Sequence, residues 1–314
     1  MFLYEKLASD LYDYNPQIYK PDDFDSFWTQ TKELAKEKLE FTMEAVSYPL
    51  KARIFKVTLK GYDDTPLSGW YLLPENDQKT YPLCLFFHGY RGYASSPSSF
   101  ASYLLNGIGV LAFDLRGQVG ASGDSGYEGG HVPGWVTQGL DNPYQCYYRR
   151  LIVDALRMVD LARSLPDVDP KRIMLQGGSQ GGGLTLATAA LSEHIALAVA
   201  AVPNMCLMEQ GVLYSTSSLK EVIEYLRLYP DKAPAFFKTL SYFDNVNLAP
   251  AIKCPVLVSV GMQDTVCLPK GIFAAYNRIL APKEILVFPF SGHDGGGENY
   301  TRAAMEFALQ HLKP

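Results

Sequence analysis

Gly177-Gly178-Ser179-Gln180-Gly181-Gly182-Gly183 is the stretch on which the reading of the fold turns. It follows the short apolar run Arg172-Ile173-Met174-Leu175-Gln176. It precedes Leu184-Thr185-Leu186-Ala187-Thr188-Ala189-Ala190-Leu191, which reads as a helix. Strand, G-x-S-x-G and helix in that order are the setting of a serine nucleophile elbow. The reason is steric. A serine at the apex of so sharp a turn has a strained backbone, and neighbours bearing a Cβ would strike the adjoining strand or helix, so glycines stand at 177 and 181. The helix begins directly behind the serine, and free N–H groups of its first turn face any negative charge that develops there. The same glycines would also suit a loop that merely lets a helix pack closely on a sheet, so the rest of the chain must discriminate.

The chain has 314 residues, 47% of them apolar and 19% charged, which is ample for a large core. A net charge of −5, with no basic run longer than a pair, argues against a nucleic-acid partner. The segment Met1-Phe2-Leu3-Tyr4-Glu5-Lys6 lacks a basic stretch followed by an apolar one, so no signal peptide is expected. No apolar run approaches the ~18 residues of a membrane span, so no membrane partner is expected either. Cys84, Cys146, Cys206, Cys254 and Cys267 are scattered and odd in number, and read as reduced core cysteines. The expected compartment is the cytoplasm.

Residues 1–45 read as a helical extension, with aromatics leading into a helix over 25–39 that Asp25 or Ser26 would cap. Its Lys- and Glu-rich outer face suggests an element packed on the body or on a neighbouring subunit. Residues 45–48, 52–59 and 67–73 alternate as antiparallel strands do, with a turn at Gly61-Tyr62-Asp63-Asp64. From Tyr81 continuous apolar runs take over at 83–87, 109–113, 173–175, 196–202, 255–260 and 285–288, each ending in a glycine-bearing or polar loop. Strands covered on both faces lose alternation. Amphipathic helices over 146–164 and 271–280 lie between them. The plan is a single α/β domain over 1–314: a doubly wound, mostly parallel sheet with antiparallel N-terminal strands. Residues 204–246 read as a small helical cap inserted between two strands. In such sheets function collects at the carboxyl ends of the strands.

A serine hydroxyl needs a base, and the base needs an orienting group. In the α/β-hydrolase arrangement these follow as serine, acid, histidine. His194 follows the elbow helix in a polar connection, and His311 lies in an amphipathic terminal helix. His293 alone sits on a glycine-bearing loop after a buried strand, so it is the chosen base. Asp264 ends the strand over 255–260 and is the chosen acid. Asp244, in the cap, comes second, and Asp294 adjoins His293 too closely to reach its ring. Oxyanion donors are expected from the N–H of Gln180 and from the loop holding Gly89-Tyr90. Tyr90 also stands where its ring would cross the acyl side of the pocket. His88 reads as a hydrogen-bonded structural residue, and Arg116 as a guanidinium that pins neighbouring loops. Glycines 117, 120, 123, 126, 129 and 130 do not form G-x-G-x-x-G between a strand and a helix, so no dinucleotide site is expected. No His or Cys spacing suggests a metal.

Arg116-Gly117-Gln118, Gly177-Gly178-Ser179-Gln180-Gly181-Gly182-Gly183-Leu184-Thr185 and Gly292-His293 resemble the signature set of carbohydrate esterase family seven, the cephalosporin-C deacetylase and acetyl xylan esterase group. Phe27-Trp28, Gly69-Trp70-Tyr71, His88-Gly89-Tyr90, Gly134-Trp135, Tyr147-Tyr148-Arg149, Thr239-Leu240-Ser241-Tyr242-Phe243-Asp244 and Phe273-Ala274-Ala275-Tyr276-Asn277 are similar to it as well, so the likeness spans nearly the whole chain. The resemblance implies an α/β-hydrolase fold, a Ser179–Asp264–His293 triad and oxyanion donors at the N–H groups of Tyr90 and Gln180. Tyr90, Arg116 and Gln118 are expected to line the pocket or brace its loops. The resemblance also implies cofactor-free removal of acetyl groups from sugars and from cephalosporin C, in a cytoplasmic homohexamer whose sites open toward an internal cavity. The chain departs from the family in two places. Asp294, followed by Gly295-Gly296-Gly297, stands where the family usually has Glu, and Val202-Pro203-Asn204-Met205 differs from the expected aromatic-bearing segment. A peptidase or lipase of the same fold would need a propeller or a larger lid than 204–246. A non-catalytic binding relative would have lost a triad position, and here all are filled.

Overall fold

The uninterrupted apolar runs are strands with a different core on each face. The computed structural model describes residues 2–76, 78–124 and 134–313, so glycines 126, 129 and 130 lie outside the described residues. Nine strands form one sheet: β1 (Phe41–Ala45), β2 (Ala52–Lys60), β3 (Pro66–Pro74), β4 (Tyr81–Phe87), β5 (Gly109–Phe113), β6 (Val168–Gly178), β7 (Leu197–Ala201), β8 (Val256–Gly261) and β9 (Lys283–Phe288). The helices are α1 (Leu3–Lys6), α2 (Phe24–Ala35), α3 (Ala101–Leu105), α4 (Tyr147–Ser164), α5 (Gln180–Leu191) and α6 (Met208–Tyr214). They continue with α7 (Lys220–Leu228), α8 (Ala233–Phe243), α9 (Asn245–Leu248), α10 (Pro269–Arg278) and α11 (Gly297–His311).

The strand order is β1-β2-β3-β5-β4-β6-β7-β8-β9, antiparallel from β1 to β5 and parallel from there to β9. Leu83, Leu85, Leu111, Ile173 and Leu175 join one buried cluster with residues of α4, α5 and α10. Cys84, Val110, Ala112, Met174 and Val199 join the other, with α3 and α11. Both faces are dry, so both sets of alternating positions are apolar. The chain leaves β4 toward β5 on one side and returns through α4 to β6 on the other. That reversal opens a crevice at the carboxyl end of β4, where the loop after β4 meets the turn after β6.

Three local expectations need correction. The first strand is Phe41–Ala45, paired from Phe41↔Leu59 to Ala45↔Phe55, and not 45–48. Tight bonds from Leu50 N–H to Tyr48 O (2.7 Å) and from Ala52 N–H to Leu50 O (2.9 Å) bend residues 48–52 into the turn. Residues 41–45 of the expected helical extension are thus an exposed edge strand. Helix α2 stops at Ala35 because Arg157, buried in α4, donates to the carbonyls of Glu37 (3.2 Å) and Lys38 (3.2 Å) beyond it. Asp25 and Ser26 lie inside that helix, and Asp23 holds the cap position. Starting at Phe24 puts Phe24, Phe27 and Trp28 on one buried face, and burial of that size, about 1.5–3 kcal/mol per side chain, outweighs a cap preference. That face packs on α8: the Phe27 and Tyr242 rings lie 4.6 Å apart, and Trp28 Nε1–H donates to Tyr242 O at 3.1 Å.

The β7–β8 connection carries α6 to α9. It is anchored by Asp244, whose carboxylate accepts N–H bonds from Leu207 (2.9 Å), Met208 (2.6 Å) and Val246 (3.0 Å). Among the described residues no helix is long and apolar enough to cross a membrane.

Candidate active site

Ser179 stands between β6 and α5 with φ +56° and ψ −120°. A side chain other than glycine costs energy there, and such strain persists only where the surroundings enforce it. Here Ser179 N–H donates to Ala201 O (2.9 Å), and Ser179 O accepts from Gly183 N–H (3.0 Å) and Asn204 N–H (2.9 Å). A Cβ on Gly177 would strike the Gly181 carbonyl, and one on Gly181 the Phe87 carbonyl. The elbow glycines are therefore required by close backbone approach. The N–H of Gln180 opens α5, where the helix has no preceding turn to accept it.

Asp264 and His293 meet at the carboxyl ends of β8 and β9, with Nδ1 of His293 2.8 Å from Asp264 Oδ2. The carboxylate is fully buried while the imidazole is 36% exposed. Oδ1 accepts N–H bonds from Val266 (2.7 Å) and Cys267 (3.0 Å), so the acid is fixed and Nδ1 carries the donated proton. Nε2 then keeps its lone pair. Asp294 does not reach the ring. It accepts from Gly292 N–H (2.9 Å) and Gly296 N–H (3.3 Å), pinning the loop that presents His293. His194 follows the far end of α5, roughly 18 Å along a helix rising about 1.5 Å per residue. His311 Nδ1 is bonded to Phe307 O at 2.9 Å on α11.

Cys267 enters the site unforeseen. Its Sγ lies 3.9 Å from Ser179 Oγ, which among the described residues has no other side-chain partner. Ligand atoms of Asp264, Cys267 and His293 all lie within 4.8 Å of one another, a spacing that could accommodate a cation. Burial, reinforced by Asp264, pushes the Cys267 thiol far above its ordinary pKa, and a protonated thiol is a poor ligand. The sequence signal was available, three residues after the chosen acid.

The loop after β4 passes beside the elbow: a Cβ on Gly89 would stand 3.8 Å from that of Ser179. His88 Nδ1 bonds Gly89 O (2.8 Å) and its Nε2 accepts Leu115 N–H (2.8 Å). Burial lowers its pKa, and a neutral imidazole in that tautomer is a structural brace. Gln118 Oε1 accepts Arg91 N–H (2.9 Å), while its Nε2 donates to Tyr147 OH (2.9 Å) and Gln180 Oε1 (3.1 Å). One amide thus ties the Tyr90–Arg91 turn to the residue after Ser179. Arg116, wholly buried, bonds Asp154 (2.6 Å), Asp63 (3.2 Å), Asp124 (3.1 Å) and Tyr62 O (2.9 Å), joining the β2–β3 turn, α4 and its own loop. The Tyr90 ring meets Trp135 edge-on at 5.4 Å. Its hydroxyl donates to Glu221 of α7 at 2.6 Å, a partner sequence reading missed because a Glu on an amphipathic helix gives no sign of facing inward.

A serine at a strained strand-to-helix turn and an acid–histidine pair on later strands of one mixed sheet define the α/β-hydrolase class, here a carboxylic ester hydrolase. Residues 1–311 match the acetyl xylan esterase (AXE1) family, and the chain belongs to that family. It is similar to an acetyl xylan esterase from a Paenibacillus species, with a TM-score of 0.92 and 35% identity over 99% of this chain and 100% of that one. It is also similar to an acetyl xylan esterase of a Thermoanaerobacterium species, with a TM-score of 0.91 and 29% identity over 100% of this chain and 99% of that one. An acetyl esterase of Xylanibacter ruminicola is 30% identical over 91% of this chain and 67% of its own length.

Proposed function

We propose that this protein removes acetyl groups from acetylated sugars, xylo-oligosaccharides among them, and from cephalosporin C, through Ser179, His293 and Asp264. The observation that carries this reading is the 2.8 Å bond orienting His293 through Nδ1 at the carboxyl end of the parallel strands, where Ser179 also stands. On substrate arrival the Ser179 hydroxyl turns from Cys267 to His293 Nε2, a bond that tightens only in the complex. Nε2 takes the proton as Oγ bonds the ester carbonyl carbon, and the negative charge moves to the carbonyl oxygen. The N–H groups of Tyr90 and Gln180 hold that oxyanion, and Asp264 holds the imidazolium. The bond to the alcohol oxygen then breaks, and the leaving alcohol takes the proton from Nε2. The acetyl group stays on Oγ as an acyl-enzyme. Water, giving a proton to the same nitrogen, attacks the acyl carbon; the bond to Oγ then breaks, Oγ takes that proton back from Nε2, and acetate is released. No cofactor takes part.

We further propose that residues 204–246 cap this site within one domain over 1–314, and that the protein assembles as a cytoplasmic homohexamer with its sites facing an internal cavity. Apolar residues that stay exposed, such as Phe2, Tyr12, Phe41 and Met43, support association. Light scattering tests it, and a monomer at micromolar concentration removes the cavity. The substrate proposal is tested by assaying purified protein on acetylated xylo-oligosaccharides, other acetylated sugars and cephalosporin C. Release of acetate is expected from all three, and none from any of them overturns it.

A further inference from the structure

The β7–β8 connection touches both sides of the catalytic cleft. On the acid side, Ser215 Oγ–H donates to Val266 O (2.8 Å) and Thr216 N–H to Thr265 O (3.0 Å), both carbonyls lying between Asp264 and Cys267. On the other side, Glu221 in the first turn of α7 accepts from Tyr90 OH (2.6 Å) and Arg91 Nη2 (2.7 Å). One carboxylate, 15% exposed, thus grips the side chains of two consecutive residues in the turn beside Ser179. That turn is not relaxed. Arg91 has φ +59°, and Gly92 N–H closes back on Gly89 O at 2.9 Å. Strain at a non-glycine residue persists only if several contacts enforce it. Gln118 holds the Arg91 N–H, and Glu221 holds the side chains. The phenol remains a donor across the working pH range, because burial and then Glu221 raise its pKa far above the ordinary value.

We propose that Glu221 is a positioning residue that reaches from α7 to fix the Tyr90–Arg91 turn, setting both the direction of the Tyr90 N–H and the place of its ring. This rests on the esterase reading above. It assigns the β7–β8 connection a part in the rate of the chemical step, in addition to any covering of the site. Since the Tyr90 N–H would be needed most in the transition state, loosening it lowers kcat more than it raises KM.

The test compares wild type with Glu221→Ala, Glu221→Gln, Tyr90→Phe and the Glu221→Ala/Tyr90→Phe double variant on p-nitrophenyl acetate and butyrate. Active sites are counted in each by a serine-directed phosphonate. Glu221→Ala is expected to lose about tenfold to a hundredfold in kcat per labelled site, the range for a misplaced catalytic group, with KM nearly unchanged and the acetyl-to-butyryl preference reduced. Glu221→Gln, whose amide oxygen still accepts from the phenol, recovers part of the loss. The double variant is no slower than Glu221→Ala, because the phenol has already lost its acceptor. Wild-type kcat and acyl preference in Glu221→Ala would overturn the proposal, as would a loss explained wholly by fewer labelled sites. Should that variant not fold, Glu221→Leu, which keeps the bulk and offers no acceptor, would do the same with wild-type kcat per labelled site and wild-type acyl preference. A wild-type protein that neither turns over acetate nor takes the label at Ser179 would instead overturn the esterase reading itself.

Discussion

Arg116 and its carboxylates, and Asp264 with His293, are two buried ionic constellations in one molecule, and they differ in what is left open. The Arg116 guanidinium is wholly buried, and its donors are taken by Asp154, Asp63, Asp124 and the Tyr62 carbonyl. The Asp264 carboxylate is as deeply buried, yet its partner His293 is 36% exposed and, among the described residues, bonded through one nitrogen only. The first arrangement has no valence to offer a substrate. The second has one. Burial of charge therefore does not by itself mark a catalytic site; an unsatisfied atom directed outward does.

The largest effect should come from the open constellation. Ser179→Ala is expected to lower ester hydrolysis by several powers of ten, because the members of such a triad act as a unit. Asp264→Asn should lower it on the order of 10³–10⁴-fold by leaving the wrong tautomer on His293. Both should retain a thermal midpoint near that of wild type. Turnover of p-nitrophenyl acetate close to wild type in either variant would remove that residue from the chemistry.

The closed constellation should behave in the opposite way. Arg116→Met leaves Asp154 and Asp63 without their cation, while Asp124 keeps Arg150 at 2.7 Å, and breaking a buried pair on one side costs about 3–5 kcal/mol. Denaturant unfolding should report that loss, while kcat per phosphonate-labelled site changes by only a fewfold. A stable Arg116→Met variant with abolished turnover would erase the distinction between the two regions.

Asp244 sharpens the comparison, as a buried carboxylate held by main-chain N–H groups in place of a paired cation. Burial, opposed by the bonds from Val246, Met208 and Leu207, raises its pKa to about 6. The folded state therefore binds this proton more tightly than the unfolded chain, where aspartate titrates near ~3.9. Its contribution to stability is fully present below that value and is lost as the pH rises through about 6. Asp244→Asn removes the titration. The stability of wild type relative to this variant should fall by up to roughly 3 kcal/mol between pH ~4 and ~7. Urea titrations at several pH values measure it, and a pH-independent difference would mean that the anchor does not titrate in that range.

What could be read in advance followed from period and position. The parallel strands were legible because both faces are buried, and the positions of Ser179, Asp264 and His293 because each lies in the turn or loop that follows one of those strands. Element ends were not, since they depend on partners remote in sequence: Arg157 ends α2 from within α4, and the Trp28 side chain reaches the Tyr242 carbonyl. Asp244 is the second candidate for the acid on sequence, and its burial is legible in neither period nor spacing. Its carboxylate is spent on main-chain N–H groups, a role only the folded chain reveals. Glu221 was hidden for the same reason.

The smallest effect concerns acyl length, and it places Tyr90 between the two constellations. Its backbone N–H is the donor proposed for the open site, while its side chain is held by Glu221 at 2.6 Å and by the edge of Trp135 at 5.4 Å. A ring fixed from two directions cannot yield to a longer acyl chain. Each misfit with such a wall costs about 1–3 kcal/mol, or roughly ten- to hundredfold in rate. Acetyl esters should therefore be cleaved much faster than butyryl esters, with octanoyl esters nearly inert, while alcohols are accepted broadly. Tyr90→Ala keeps the main-chain donor and removes the wall, so it should narrow the acetyl-to-butyryl ratio of kcat/KM about tenfold, the size of a single misfit. This variant also takes the phenol from Glu221, so acetate kcat should fall with it, and narrowing without that fall would count against the positioning role of Glu221. Equal kcat/KM for acetate and octanoate in wild type would show that the ring does not bound the pocket, and would point to a general carboxylesterase.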